Sequence, residues 1–218
     1  MTSRHNHRRI AGFTLIEILL SVGVMGIILA ALAQVQVQSS AQSKSLQARV
    51  TAESRARRTL DRVADELTGV GHSLIFPDPS SVFGTSALTY QRASGVSGAG
   101  VVTWGTPSRL DLQVDPRELD NGLDDDSDGL VDEQRLVFTR NFGLPNAQSV
   151  VLCTGIPELV QGELVNGIDD NGNGVVNEAG FNIQRIGDLL TVRLTVQQPF
   201  GKHQVATVSL ETSIVLHN

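Results

Sequence analysis

The chain opens with a short polar, basic stretch and then turns apolar. Residues 10–33 are almost wholly apolar, and from Ile18 to Ser43 there is no charged side chain. About 20 such residues, rising ~1.5 Å each as a helix, span a hydrocarbon core of roughly 30 Å. Beyond that run the pattern becomes amphipathic. Leu46, Val50, Ala56, Leu60, Val63 and Leu67 recur at three- and four-residue steps, apart from a wider gap near Glu53, while Arg49, Asp61, Arg62 and Asp65 fill the other faces. No proline interrupts residues 1–76; Gly69 and Gly71 are stop signals, and Pro77 and Pro79 exclude resumption. The spacing predicts one helix from about Thr14 to Thr68.

From residue 80 onward the period falls to two. Strands are expected at 87–92, 101–104, 109–114, 135–140, 149–153, 181–186, 189–197 and 204–216, the alternation being cleanest from Leu190 to Val196. Segment 93–100, rich in Ser, Gly and Ala, is expected to be a flexible loop, and residues 199–202 the turn of a closing hairpin. The fold class is α+β: a long N-terminal helix, membrane-spanning in its first half and amphipathic in its second, packed against an antiparallel β-sheet head.

Composition changes this picture little, and charge changes it more. With 218 residues and 40% apolar content the chain suits one domain plus an appendage. Cys153 is the sole cysteine, so no intrachain disulfide forms, and a buried small hydrophobe is its expected role. The net charge of -6 is local: segments 118–133 and 163–178 hold twelve of the 23 acidic residues and no Lys or Arg. The remainder is net basic. Two acidic loops on a near-balanced protein point to a cation partner and give no support to nucleic-acid binding.

Those two segments are an internal repeat offset by 45 residues, with nine identical positions, and three of the differences only exchange Asp for Asn. Calcium takes six to eight oxygen ligands from side chains and carbonyls in a tight turn, and Asp/Asn at alternate positions followed by Gly supplies such a set. The candidates are Asp124, Asp126 and Asp128 before Gly129, and Asp169, Asn171 and Asn173 before Gly174. The carbonyls of Leu130 and Val175 would follow, with Asp132 or Glu133, and Asn177 or Glu178, closing the sites. The twelfth position of an EF-hand is Arg135 here and Gly180 in the second loop, and strands are expected to flank both, so the segments resemble the abbreviated calcium loops of extracellular modules and not EF-hands. Solvated Asp/Asn/Gly turns are the plain alternative. Magnesium fits less well because of its stricter octahedral demand.

Glu17 is the anomaly of the apolar run, because a carboxylate there is costly and implies a partner. Residues 8–17, Arg-Arg-Ile-Ala-Gly-Phe-Thr-Leu-Ile-Glu, resemble the prepilin processing motif of type IV pilins and type II secretion pseudopilins. The resemblance implies cleavage after Gly12 by a prepilin peptidase, methylation of the new amine at Phe13, and Glu17 as the assembly glutamate that meets the amine of a neighbouring subunit. It divides the chain into a leader (1–12), a transmembrane and filament-core helix (13–40), a periplasmic amphipathic half (41–71) and a β-rich head (72–218).

The basic leader, with Arg4, Arg8 and Arg9, is expected on the cytoplasmic side. The protein would be a single-pass inner-membrane protein with a periplasmic head before assembly, and part of a filament afterwards. Residues 56–67 and the C-terminal run from Leu189 resemble PilW-like minor pilins and the J-type minor pseudopilin. Where many major pilins carry a helix-kinking proline, this chain has Gln34, a departure that suits a minor subunit.

The family implies other pilin or pseudopilin subunits, the prepilin peptidase and the inner-membrane assembly platform as partners. A calcium-dependent adhesin or ligand-binding head at a pilus tip is the alternative function. No enzyme is expected: His5, His7, His72, His203 and His217 are scattered, and no Ser-His-Asp, Cys-His or phosphate-loop constellation stands out. Trp104 and Tyr90 read as sheet packing.

Overall fold

The computed structural model describes residues 14–119, 121–201 and 204–216. Its first element is a 53-residue helix, α1 (Leu15–Leu67). The strands follow: β1 (Val70–Phe76), β2 (Ala87–Val96), β3 (Val102–Trp104), β4 (Ser108–Val114), β5 (Gln134–Arg140), β6 (Gln148–Ile156), β7 (Phe181–Ile186), β8 (Leu189–Gly201) and β9 (Gln204–Val215). The chain divides into two compact units, Met1–Lys44 and Ser45–Asn218.

In the first unit, α1 exposes its apolar side chains on every side, from Leu15 and Ile16 to Leu32 and Val37. A helix apolar all round that finds no protein to cover it is suited to lipid or to other helices. By length and composition it is able to cross a membrane.

In the second unit the rest of α1 buries Ala48, Ala52, Ala56, Leu60, Val63 and Leu67. This corrects the expected stripe at its start, since Leu46 and Val50 are exposed. A shift of two residues turns a helix by about 200°, so Leu46 and Val50 point away from the face carried by the alanines, whose lack of bulk lets the sheet approach. The helix stops where Gly69 takes a left-handed conformation (φ 79°) that L-residues disfavour.

Two antiparallel sheets form the head. One has the order β1-β2-β4-β5-β6, with β3 paired to β2, and the other is β7-β8-β9. Their inner faces and α1 share one core, containing Leu88, Tyr90, Leu110, Leu136, Phe181, Ile183, Leu190 and Leu194. Cys153 lies in it as a buried free thiol.

Three local expectations are corrected. Strand β1 was not foreseen: Val70-Gly-His-Ser-Leu-Ile-Phe alternates poorly, and its register against β2 shifts between Val70 and Ile75. Segment 93–100 is not all loop, because β2 continues to Val96 and pairs Ala93 with Trp104 and Val96 with Val102. Pro199, Phe200 and Gly201 belong to β8 and not to a turn, with Pro199 opposite Val205. Proline is tolerated near a strand end where its missing N–H costs no ladder bond. The acidic loops link β4 to β5 and β6 to β7.

Candidate functional site

Gly12 and Phe13 lie outside the described residues. Glu17 sits in the first turn of α1, where its Oε2 accepts from the Thr14 backbone N–H (2.9 Å) and hydroxyl (3.0 Å). The Glu17 N–H in turn lies 3.4 Å from Thr14 Oγ1. This reciprocal arrangement is a capping box, which satisfies N–H groups that a helix start leaves without partners. The Thr-x-x-Glu spacing announces it in the sequence. The carboxylate thus has a partner within its own chain, in a helix turn that is otherwise apolar and exposed.

The acidic repeats fold into frames with equivalent hydrogen bonds. Each is closed at its base by paired backbone bonds: Glu118 N–H to Asp115 O (3.0 Å) and Asp115 N–H to Glu133 O (3.2 Å) in the first, Glu163 N–H to Val160 O (3.0 Å) and Val160 N–H to Glu178 O (2.9 Å) in the second. Left-handed residues fall at equivalent places, including Asp132 (φ 48°) and Asn177 (φ 49°). Asp and Asn tolerate that region better than other side chains with a Cβ. Leu130 and Val175 are buried and plug each loop into the head.

Within the first loop, Asp124 accepts from the backbone N–H of Asp128 (3.1 Å) and Gly129 (3.0 Å). One oxygen of Asp126 accepts from Asp128 N–H, and one of Asp128 from Leu130 N–H. These bonds turn the three carboxylates together, and each offers an oxygen within 4.8 Å of the others. A second trio overlaps it: Glu118, Asp126 and Glu133 also gather within 4.8 Å.

The two closing candidates part ways. Glu133 joins the cluster, whereas Asp132 spends its oxygens on the N–H groups of Asn121 (3.0 Å) and Gly122 (2.7 Å), latching the loop's start. Asn177 does the same for Asn166 and Gly167 with a single amide oxygen.

The second loop repeats the frame with different electrostatics. Asp169 accepts from Gly172, Asn173 and Gly174 N–H. Asn171 Oδ1 accepts from Asn173 N–H, and Asn173 Oδ1 from Val175 N–H. Asn173 then donates through its amide nitrogen to Glu178. No trio of carboxylates gathers there among the described residues.

Sequence reasoning missed Glu118 and Glu163, which stand outside the Asp-x-Asp-x-Asp-Gly core. Their signal was present, since both are identical positions of the repeat. Glu118 is 4% exposed, and it accepts from the N–H groups of Asp125 and Asp126. Glu163 is likewise buried and accepts from Asn171 N–H.

Burying carboxylates together is costly unless something compensates. Glu133 is 2% exposed, and its Oε2 has no hydrogen-bond partner. Burial pushes its carboxyl up to about 7, the charges of Asp128, Glu118 and Asp126 pushing the same way against a backbone hydrogen bond that lowers it. Arg117 compensates from outside. Its guanidinium holds Asp115 below the usual carboxylate range by hydrogen bonding, and its Nη1 lies 3.0 Å from Asp126 Oδ2, though off the hydrogen-bonding line. A set of hard oxygens with unpartnered lone pairs fits a hard cation such as calcium.

Residues 7–33 match the family model described as the prokaryotic N-terminal methylation motif. No curated protein and no solved structure matches the chain. The motif implies interaction with other pilin subunits and with a prepilin peptidase. It points to a structural subunit, and with the long apolar helix it fits membrane anchoring and pilus assembly. Together, the methylation motif and the long apolar helix support a type IV pilin-like protein, a subunit of pili or pseudopili.

Proposed function

We propose that this chain is a minor pilin or minor pseudopilin, a structural subunit whose head is stabilised by calcium. The observation that carries the subunit reading is Glu17, a carboxylate at the start of a helix that is otherwise apolar and exposed. Cleavage after Gly12 would free an ammonium at Phe13 about one helical turn away. Packed with a stagger, the carboxylate of one subunit meets the amine of the next. Such a buried pair adds little net stability, but a wrong register leaves both charges unpaired and is penalised.

The basic leader would remain cytoplasmic and the head would cross to the periplasm. Partners would be the major subunit, other minor subunits, the prepilin peptidase and the inner-membrane assembly platform. Glu17→Ala should leave the protein in the membrane and out of sheared filaments. Equal recovery of variant and wild type from the filament fraction would refute the assembly role.

One observation favours a second reading, a calcium-dependent adhesin or ligand-binding head at a pilus tip. The acidic loops expose aliphatic side chains at matching positions, Leu119 and Leu123 in the first and Leu164 and Ile168 in the second. An exposed apolar patch of this kind suits contact with a partner. Calcium-dependent adhesion by the purified head would favour the tip reading, and adhesion indifferent to chelator would remove it.

A further inference from the structure

The repeat presents two copies of one frame, and the copies differ at the atoms that face inward. Asp128 and Asn173 hold equivalent places, each giving one oxygen to the N–H two residues on. What remains of Asp128 is a second carboxylate oxygen, in a residue that gathers with Asp124 and Asp126. What remains of Asn173 is an amide nitrogen, already donating to Glu178. A donor at that position satisfies a glutamate and repels a cation; an acceptor does the reverse.

Asp126 and Asn171 differ in the same sense. Asp126 Oδ2 lacks a hydrogen-bond donor and has only the Arg117 guanidinium beside it, at 3.0 Å, and the equivalent atom of Asn171 would be an amide nitrogen, because its Oδ1 is committed to Asn173 N–H. Glu133 belongs to the trio with Glu118 and Asp126, and its buried Oε2 has no hydrogen-bond partner. Its equivalent, Glu178, has Asn173 as a donor and Arg193 Nε at 4.0 Å. In the second loop Glu163 Oε2 is also buried and without a hydrogen-bond partner.

We propose that calcium binds in the first loop alone, held by Glu118, Asp124, Asp126, Asp128, Glu133 and the Leu130 carbonyl, and that the second loop is a cation-independent copy in which the Asn173 amide takes the ion's place. Glu118 and Glu133 make up for the missing twelfth-position glutamate by reaching in from the two ends of the loop. Five carboxylates against one divalent ion leave excess negative charge, which the adjacent Arg117 offsets. A cleft of about 260 Å³ adjoins Asp128 and Glu133, with Arg55 and Arg117 also on its wall. Asp132 is a latch and no ligand, because Asn177 does its work without a charge.

This inference rests on the calcium part of the proposed function. Its test is equilibrium dialysis of the full chain in detergent micelles against calcium alone. One ion per chain is expected. Glu118→Gln should weaken binding at least tenfold, Asp132→Asn should leave it within about twofold, and Asn171→Asp with Asn173→Asp should raise the count to two. Should Glu118→Gln fail to fold, Asp126→Asn carries the same test, since the second loop folds with Asn171. Two ions of similar affinity in the wild type, or unchanged affinity in both Glu118→Gln and Asp126→Asn, would overturn the assignment while leaving a calcium-binding head intact. No bound ion at all would overturn the calcium reading itself, and neither result touches filament assembly.

Discussion

Replacing Glu133 by Gln should make the cation-free head more stable above neutral pH and deaf to calcium. In the folded chain this carboxyl is pushed from an ordinary 4.5 up to about 7, chiefly by burial. At 1.36 kcal/mol per pKa unit, holding it ionised costs about 3 kcal/mol. The sign follows from which state binds the proton more tightly. Below pH 4.5 both folded and unfolded chains carry it, and nothing is lost. Between 4.5 and about 7 the unfolded chain gives it up first, so stability falls as pH rises, and above 7 the full cost stands. On the proposed reading, calcium at 100 times its Kd would add about 2.7 kcal/mol.

Glutamine keeps the shape without the charge. Urea unfolding of the full chain in micelles with chelator, followed by Trp104 fluorescence, should show wild type losing up to about 3 kcal/mol across that window. Glu133→Gln should lose less by about that amount and gain nothing from calcium. Parallel pH profiles for the two proteins in chelator would refute the reasoning.

Other perturbations report on the frame around the site. Gly69 and Gly155 both have positive φ, but a Cβ at Gly69 meets nothing, while one at Gly155 comes 2.8 Å from Gln197 O and 3.2 Å from Leu130 Cδ1. Gly69→Ala should therefore cost about 1–2 kcal/mol from backbone strain alone, and Gly155→Ala distinctly more, with weakened calcium binding; equal losses by urea unfolding would contradict this. Leu67→Ala removes a fully buried side chain from the core and should cost about 2–5 kcal/mol, read in the same assay. Burial raises the Cys153 thiol above its ordinary value, so a thiol reagent at pH 8 should label it only on unfolding; rapid labelling of the native protein would mean that the core opens at β6.

Much of the fold was legible because its signals are long and locally consistent. The helix from Leu15 to Leu67 rests on dozens of residues without proline, and β8 on clean alternation from Leu190 to Val196. What escaped depended on tertiary partners. Strand β1 exists because β2 is there to pair with it, and the buried stripe of α1 follows alanines whose smallness matters only against a sheet. The division into two sheets is likewise a matter of which strands meet, and no strand's own pattern records it.

The site divides in the same way. Alternating Asp residues named the core of the first loop, but Glu118 joins them through a turn that folds the chain back by several residues. The different duties of Asp132 and Glu133 depend on a left-handed backbone at residue 132. At the other end of the chain, the Thr14–Glu17 capping box is written plainly in the Thr-x-x-Glu spacing.

The most direct test of a pilin-like subunit is the intact mass and N-terminal peptide of the protein recovered from membranes of the cells that make it. The expected chain begins at Phe13 with a methylated amine. A protein that retains residues 1–12, its Phe13 nitrogen still in a peptide bond with Gly12, would contradict it.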